Sequence, residues 1–254
     1  MHLCLVTCSY DTDFEPIAEQ LATKLEQIRR EFNNFTLIIM NDALDQSAFA
    51  EAVRSVGAPE VFLFNVETPN KSRWGHKGLA LREGLRLGLT LNADIYAYIN
   101  LNLKVDAKFL RLGVETMNRC GWTAAFGSRA SCDGGTRQGA GKLGELKSLA
   151  FVKLAHKLLP RIRDAQDTNG PMKLFRPETA KMIVDLAQGT GAFFDCEWLL
   201  ILAVNHENTG FFPIVWKQRA GSRPPWFLVQ QSVRELAETR ERWLLGLYEK
   251  HTSG

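Results

Sequence analysis

The sequence has no strong excess of charge of either sign. Its 254 residues include 31 Lys and Arg against 28 Asp and Glu, which gives a formal net charge of +3. No run of basic residues is long enough to form a basic tail, so the composition gives no support for nucleic-acid binding. Because 45% of the residues are hydrophobic, a chain of this length can bury one substantial core, and it predicts a single domain.

Long apolar runs and paired cysteines are also missing. No segment reaches the roughly 18 apolar residues that a membrane-spanning helix needs, and the N-terminus lacks the basic and apolar regions of a signal peptide. The five cysteines are odd in number and scattered, which favours reduced thiols over a zinc site or disulfides. These absences predict a cytoplasmic protein, with peripheral contact at a membrane face as the alternative.

Familiar nucleotide-binding motifs fail in this chain. Gly139, Gly141 and Gly144 match G-x-G-x-x-G by letter, but they follow a polar loop rather than a strand. The same stretch misses the phosphate-loop pattern, because Thr136 stands where the first Gly is needed and Leu143 where Ser or Thr is needed. No pair of His residues has metal-ligand spacing and no G-x-S-x-G elbow is present, so zinc and hydrolase functions have little support.

The first half of the chain alternates between strand-like and helix-like hydrophobic patterns. Strands are predicted at 3–8, 35–40, 61–64, 94–99 and 122–126, and helices at 14–32, 46–56, 78–91 and 107–118. This order predicts an α/β fold, with a mostly parallel sheet flanked by helices. Ligands bind at the carboxyl ends of the strands in such sheets, and the polar residues of this chain cluster there.

The second half is less regular. Residues 127–144 are rich in Gly, Ser, Arg and Gln, which predicts a mobile loop that closes over a ligand. Helices are predicted at 146–159 and 180–186, and a strand at 211–216. Residues 224–254 are predicted to form an amphipathic helix packed on a domain of residues 1–223; a membrane-surface or dimer contact is the alternative. Its apolar stripe consists of Val229, Val233, Leu236, Trp243 and Leu247.

The most informative stretch follows the buried strand at 94–99. Asn100 and Asn102 are alternate residues, so their side chains lie on one face of the chain. Two Asp residues in this arrangement would hold Mg²⁺ or Mn²⁺ on a nucleotide diphosphate. Here both are Asn and Lys104 follows, so the charge of the site is inverted.

Four stretches in fixed order resemble the family 2 glycosyltransferases, which have the GT-A fold. The likeness covers residues 3–223 and is greatest to the polyprenyl-phosphate sugar synthases. It rests on residues 6–11 with Asn-Asp at 41–42, residues 75–85, residues 100–104, and a composite of Gly-Ser-Arg at 127–129, residues 167–176, Phe-Asp-x-Glu at 194–197 and residues 213–223. The resemblance implies hexosyl transfer from a nucleotide-diphosphate sugar to a lipid-phosphate or glycan acceptor, with Mg or Mn as cofactor.

The resemblance also implies which residues hold the donor. The nucleoside would contact Ser9, Tyr10, Asp11 and Asp42, although Asp42 can equally cap the next helix. Gly75 and Lys77 belong to a glycine-flanked segment at a helix start. Free N–H groups there favour an anion, and Lys77 adds charge for a phosphate. The alternative is a solvated Lys77 beside glycines that serve packing.

Residues 100, 102 and 104 are Asp, Asp and commonly Gln in the resembled enzymes, where they hold the metal. Neutral Asn oxygens are weak ligands for a divalent ion, and the ammonium of Lys104 repels one. We therefore assign no metal site and hypothesise that Lys104 neutralises the diphosphate in the metal's place, together with Asn100 and Asn102. The alternative is a degenerate site in an inactive pseudo-glycosyltransferase that acts as a binding or scaffold protein. A nucleotidyltransferase has less support, since no Gly-rich loop bearing Arg and Lys follows the first strand.

Arginines and carboxylates complete the predicted site. The guanidinium fork suits phosphate, so the predicted phosphate or acceptor ligands are Arg129, Arg137, Arg219 and Arg223. Asp195 and Asp167 are candidate general bases for a hydroxyl acceptor, whereas a phosphate acceptor needs no base. On a helix, Asp195 and Glu197 point roughly 200° apart, so they do not form a carboxylate pair. Asp195 can alternatively be a helix N-cap.

Overall fold

A computed structural model describes residues 1–9, 17–43, 45–67, 76–139, 141–217 and 227–250. The strands are β1 Leu3–Ser9, β2 Phe35–Asn41, β3 Val61–Asn65, β4 Ile95–Ile99, β5 Ala124–Ser128, β6 Thr136–Gln138, β7 Met172–Phe175, β8 Thr209–Pro213 and β9 Val215–Lys217. The helices are α1 Ile17–Glu31, α2 Gln46–Ser55, α3 Lys77–Leu89, α4 Lys108–Cys120, α5 Lys142–Leu158, α6 Pro177–Leu186, α7 Phe194–Val204 and α8 Phe227–Leu244. The elements predicted for the first half are present, with ends shifted by a few residues.

Seven strands form one sheet in the order β3-β2-β1-β4-β7-β5-β8. Neighbouring strands are parallel except at β7, which runs antiparallel to both β4 and β5. The prediction of an α/β fold with a mostly parallel sheet is confirmed. The insertion of β7 between β4 and β5 was not predicted, because a strand of four residues gives too short a pattern.

Side chains alternate between the two faces of each strand, and each face is covered by helices. Val6 and Met40 lie in a core with residues of α3, α6 and α7, whereas Leu5 and Leu37 lie in a core with residues of α1, α2 and α4. Helix α3 approaches β1 closely at Gly84, where an added Cβ would lie 2.4 Å from the Cγ1 of Val6. The glycines in α3 therefore set how close this helix lies to the sheet.

The segment at 127–144 is not simply a loop. It contains β6 and the first residues of α5, and β6 pairs in parallel with β9 in a second, two-stranded sheet. The predicted strand at 211–216 is in fact two strands, β8 and β9, which belong to different sheets. The chain switches sheets at Ile214, whose N–H donates to the carbonyl of Ser128 (3.0 Å) and whose carbonyl accepts from the N–H of Thr136 (2.9 Å).

Helix α8 lies against α5 and α7. On the predicted stripe, Leu236 is buried and Trp243 packs on the core, whereas Val233 and Leu247 are exposed. The side chain of Val229 lies outside the described residues. Across the ranges that the structure describes, no helix combines the length and apolarity needed to cross a membrane.

Candidate functional site

One edge of the large sheet collects the predicted site residues that the structure describes. The parallel strands β1, β2, β4 and β5 end there, and β7 begins there because it runs in the opposite direction. The start of α7 lies at the same edge, since Asp195 on its first turn contacts Lys173 on β7. The topology therefore brings together chain segments that are far apart in sequence.

The residues predicted to contact the nucleoside lie at the ends of β1 and β2. Ser9 is buried, and its hydroxyl has no hydrogen-bond partner among the described residues. Asp42 is also buried, with Oδ2 3.9 Å from Nδ1 of His76. The N-cap of α2 is Asp45, which accepts from the N–H of Ala48 at 2.9 Å, so the capping alternative for Asp42 is wrong. Tyr10 and Asp11 lie outside the described residues.

Asn41 has a structural role that a carboxylate would not fill. Its Nδ2 donates to Oδ1 of Asn65 (2.9 Å) and to the carbonyl of Gln46 (3.0 Å), while its Oδ1 accepts from the N–H of Ala43 (3.2 Å). An ionised Asp has no donor. The Asn at this position therefore ties β2 to β3 and to the start of α2.

The start of α3 is not an open anion site. The N–H of Gly78 donates to the carbonyl of Gly191 (2.9 Å), and the N–H of Leu79 donates to the carbonyl of Thr190 (3.3 Å). The expectation that these amides receive a phosphate is wrong, because their hydrogen bonds are already made. The ammonium of Lys77 lies 5.1 Å from the ring centroid of Tyr98, at the sheet edge. Gly75 lies outside the described residues.

The residues after β4 do not suit a divalent ion. Oδ1 of Asn100 accepts a hydrogen bond from the Tyr98 hydroxyl (2.6 Å), and Oδ1 of Asn102 accepts from the N–H of Lys104 (3.3 Å). Both oxygens are neutral and already bonded, whereas Mg²⁺ prefers carboxylate, phosphate and water oxygens. No group of three or more His, Cys, Asp or Glu that could hold a metal occurs in the described part of the chain.

Lys104 joins an aromatic platform. Its Nζ lies 5.6 Å from the ring centroid of Trp216, and the guanidinium of Arg129 lies 5.8 Å from the same centroid. The platform is fixed because the carbonyl of Lys104 accepts from the N–H of Lys217 (2.8 Å). Trp216 also faces Arg137 in the register of β6 and β9. The small sheet thus places Arg137 on the strand beside the indole that Lys104 and Arg129 contact.

Asp167 holds Arg129 rather than acting as a base. The guanidinium of Arg129 donates to both carboxylate oxygens at 2.7 Å, and its backbone N–H donates at 2.8 Å. Burial raises the pKa of the Asp167 carboxyl, but the hydrogen bonds and charge of Arg129 outweigh burial and hold the pKa below its ordinary value. Arg129 occupies both carboxylate oxygens, and the Asp167 side chain is only 1% exposed, so the geometry argues against the assignment of Asp167 as a general base.

Arg137 is held less tightly than Arg129. Its Nη2 lies 3.9 Å from Oδ1 of Asp167, beyond hydrogen-bond distance. Burial, followed by the charge of Arg129, lowers the pKa of the Arg137 guanidinium, which remains charged at neutral pH. Of the predicted arginines that the structure describes, Arg129 is therefore held firmly by Asp167, whereas Arg137 makes only a longer contact with it. Arg219 and Arg223 lie outside the described residues.

Asp195 forms an ion pair that the sequence did not predict. It lies in the first turn of α7, whose N-cap is Phe193, so the N-cap alternative for Asp195 is wrong. Its carboxylate contacts the ammonium of Lys173, which is fully buried and also donates to the carbonyl of Gly170 (2.6 Å). A signal was present in the sequence, because Lys173 interrupts an otherwise apolar run of Met, Leu and Phe.

Glu197 points away from Asp195, as the helical spacing predicted. Its carboxylate accepts from the backbone N–H groups of Gln188 (3.1 Å) and Gly189 (2.9 Å) and from the Tyr248 hydroxyl (2.6 Å). These contacts fix the chain before α7 and the segment after α8. Glu197 therefore has a structural position behind the site.

The described part of the edge carries more positive than negative side chains. Lys77 and Lys173 share the rings of Tyr98 and Phe194, and Lys173 pairs with Asp195. Lys104 and Arg129 share the ring of Trp216, and Arg129 and Arg137 lie by Asp167. Such an excess at the end of a sheet suits an anionic ligand.

Solved structures share this fold. Glucosyl-3-phosphoglycerate synthase from Mycobacterium tuberculosis, in complex with Mn²⁺, UDP and glucosyl-3-phosphoglycerate, matches with a TM-score of 0.64 over 99% of this chain and 81% of its own, at 16% identity. The same enzyme with phosphoglyceric acid also gives 0.64 and 16%, covering 94% of this chain and 78% of its own. No protein family and no curated protein matches the sequence. The chain therefore has the GT-A fold that the sequence predicted, at an identity that establishes the fold alone.

Proposed function

We propose that this protein is a glycosyltransferase that binds a nucleotide-diphosphate sugar without a metal ion. The observation that carries the proposal is the placement of Lys104 over Trp216, beside Arg129 and Arg137, at the ligand-binding edge of a GT-A sheet. The structures that share the fold include a complex of the mycobacterial synthase with Mn²⁺, UDP-glucose and phosphoglyceric acid, which supports a nucleotide-sugar donor here.

The charges at the edge support a leaving diphosphate in this position. Lys104 and Arg137 supply positive charge where the bond to the sugar breaks, and stabilisation of developing charge is a large part of catalysis. Ser9 and Asp42 face the nucleoside side, and Lys77 lies between the two regions beside Tyr98. The side-chain oxygens of Asn100 and Asn102 already accept hydrogen bonds. Replacement of the metal ion by the ammonium of Lys104 is therefore the simpler account of this site.

The acceptor in this proposal carries a phosphate or a hydroxyl, as a lipid phosphate, a glycan or a small phosphorylated molecule. Helix α5 supports contact with a lipid surface, because Leu146 and Leu149 are 64% and 58% exposed, and Lys147 and Lys153 are exposed nearby. Co-sedimentation with anionic vesicles tests this source. Wild type should bind and a Leu146→Asp/Leu149→Asp variant should not; absence of binding by wild type leaves the soluble acceptors.

Calorimetric titration with UDP-, GDP- and dTDP-sugars, in manganese and again in a chelator, tests the donor site. We expect one class to bind with the same affinity in both. Lys104→Ala should weaken that binding by about tenfold to a hundredfold, since a hydrogen bond to a charged group is worth about 1.5–3 kcal/mol. Lys108→Ala is the matched control, because Lys108 also lies over an aromatic ring, Phe109, but on α4.

A non-enzymatic scaffold is the second candidate, and the absence of carboxylates at Asn100 and Asn102 favours it. Asn100→Asp/Asn102→Asp/Lys104→Gln separates the two functions. An enzyme adapted to work without metal should regain donor binding in this variant only when manganese is added. If neither wild type nor the variant binds any nucleotide sugar, the scaffold function replaces the enzymatic one.

A further inference from the structure

Lys173 is the one buried cation of the site that the proposed chemistry leaves without a role. It lies on β7 between β4 and β5, in the middle of the sheet. Its ammonium faces the rings of Tyr98 (4.7 Å to the centroid), Phe194 (5.1 Å) and Phe126 (5.9 Å). Burial lowers the pKa of this ammonium, and the adjacent Asp195 acts in the opposite direction.

The ion pair between Lys173 and Asp195 is accessible from one side only. The Lys173 side chain has no exposed surface, whereas that of Asp195 retains 8%. A ligand that approaches the sheet edge therefore meets the carboxylate and not the ammonium. Lys173 can act on a substrate only through Asp195.

The surroundings of Asp195 hold its side chain at a fixed place. It lies in the first turn of α7, where the helix dipole stabilises negative charge. Lys77 lies over the same two rings, Tyr98 and Phe194, that Lys173 faces.

A buried ion pair does little for stability compared with apolar side chains of the same size. An apolar residue at position 173 would continue the pattern of Met172, Leu174 and Phe175, all of which are buried. A role beyond packing would therefore explain the presence of this ion pair. Lys173 lies near the carboxyl ends of β4 and β5, where ligands bind in such sheets, and this position indicates a role in the site.

We propose that Lys173 is a positioning residue that holds the Asp195 carboxylate in place to receive the proton of an acceptor hydroxyl. This rests on the proposed glycosyl transfer. In the step, the acceptor oxygen bonds to the anomeric carbon of the sugar, and the bond from that carbon to the diphosphate oxygen breaks with its electron pair. The hydroxyl proton passes to Asp195, and the diphosphate leaves as the nucleotide.

Three variants separate positioning from packing: Lys173→Met, Asp195→Asn and the double variant. Each single change leaves one buried charge without its partner and should lower the Tm. The double change removes both charges and should restore the Tm. Under the proposal it does not restore transfer, which stays about 100-fold or more below wild type, the usual loss for a missing general base. If the double variant recovers both Tm and transfer, the pair is structural and the proposal fails.

The split between kcat and the donor KM gives a second readout that packing alone would not change. In Lys173→Met the carboxylate loses the cation that holds it in place, so kcat should fall while the donor KM stays as in wild type. An unchanged kcat, or a donor KM that rises together with the fall in kcat, overturns the proposal. Lys181→Met/Asp185→Asn is the matched control, because Lys181 and Asp185 form an exposed pair on α6 (2.5 Å).

The assay uses the nucleotide sugar that wild type binds in the calorimetric panel, with 3-phosphoglyceric acid and with a short polyol as hydroxyl probes. Release of the nucleoside diphosphate reports transfer. Wild type that binds no donor overturns the proposed function, and this inference with it. Wild type that transfers while Lys173→Met transfers equally well overturns this inference alone.

Discussion

At the scale of single residues, three buried carboxylates of this protein differ in what satisfies their charge. Asp167 is paired with a guanidinium, Asp195 with an ammonium, and Glu197 with backbone amides and a phenol. Burying a carboxylate without partners is strongly unfavourable, so loss of any one of these partners should destabilise the fold. Asp195 differs because its partner, Lys173, has no exposed surface, whereas Asp195 itself is 8% exposed. The exposed part of Asp195 is therefore left for a ligand.

The Asp167 pair predicts a defined acid sensitivity. The folded-state pKa of this carboxyl lies below its ordinary value of 3.8, so its contribution to stability is complete above pH 3.8 and is lost as the pH falls through the folded-state pKa. Asp167→Asn should cost about 3 kcal/mol at neutral pH and should remove this acid-dependent part. Urea unfolding at pH 7, 4 and 3 measures both effects.

The control for this prediction is Asp164→Asn, because the side chain of Asp164 is 96% exposed. Its unfolding free energy should follow that of wild type at all three values of pH. An Asp167→Asn protein that loses stability in acid as steeply as wild type would show that other groups cause the acid sensitivity.

Residue positions at the sheet edge could be predicted from the sequence, but their partners could not. Asn100, Asn102 and Lys104 lie where the strand pattern placed them. The partner of Asp195 is distant in the sequence, as is the partner of Asn41, and pairing between distant residues leaves no local pattern. From the sequence, the helix start at Gly78 looked free to bind an anion. The carbonyl of Gly191, which accepts from the N–H of Gly78, is also distant in the sequence and left no local signal.

At the scale of elements, α3 connects the donor side of the site to the core. Its first turn is bonded to the chain before α7, and its later turns lie against β1 and β2. An added Cβ at Gly84 would lie 2.4 Å from Val6 and 2.9 Å from Met40. The position of Lys77 at the sheet edge therefore depends on the close packing of α3, which its glycines allow.

Gly84→Ala should destabilise the protein by about 1–3 kcal/mol, because an overpacked contact forces α3 away from the sheet. The midpoint of urea unfolding measures this effect. Gly144→Ala on α5 is the matched control, since a Cβ there meets no atom within 4 Å. It should be neutral or stabilising by up to about 1 kcal/mol, from helix propensity. Equal midpoints for the two variants would contradict the close packing of α3.

Elements with a clear period could be predicted, whereas those held by pairing alone could not. The strands β6 and β9 have three residues each and exist because they pair with each other. The polar composition of β6 predicts a loop, and most of β9 was predicted as the end of a single strand at 211–216; only the folded chain brings the two strands together. The pairing of β6 with β9 also places Arg137 beside Trp216. The sequence analysis therefore missed the small sheet and the position of Arg137 for the same reason.

At the scale of the whole molecule, the C-terminal helix is part of the core. Leu236 and Tyr248 are buried, Glu235 accepts from the N–H of Phe193 (2.8 Å), and the Tyr248 hydroxyl donates to Glu197. We propose that residues 224–254 are a required part of a fold whose main body is residues 1–223.

Removal of residues 224–254 should therefore destabilise the protein by on the order of 5 kcal/mol, from the loss of buried apolar surface and of the bonds to Phe193 and Glu197. The truncated chain should be insoluble or should melt far below the full chain in thermal unfolding. A truncated chain with the Tm of the full chain would show that α8 is an appendage.

The position of β7 between β4 and β5 determines when the middle of the large sheet can first be complete during synthesis. As the ribosome releases the chain, β1 to β5 emerge first, but β4 and β5 do not pair with each other. Their facing edges have no partner until the residues of β7 emerge about fifty positions later. β7 also carries Lys173. Its late insertion between β4 and β5 therefore supplies the cation that pairs with Asp195. A nascent chain is therefore both incomplete and prone to wrong strand pairing over that interval.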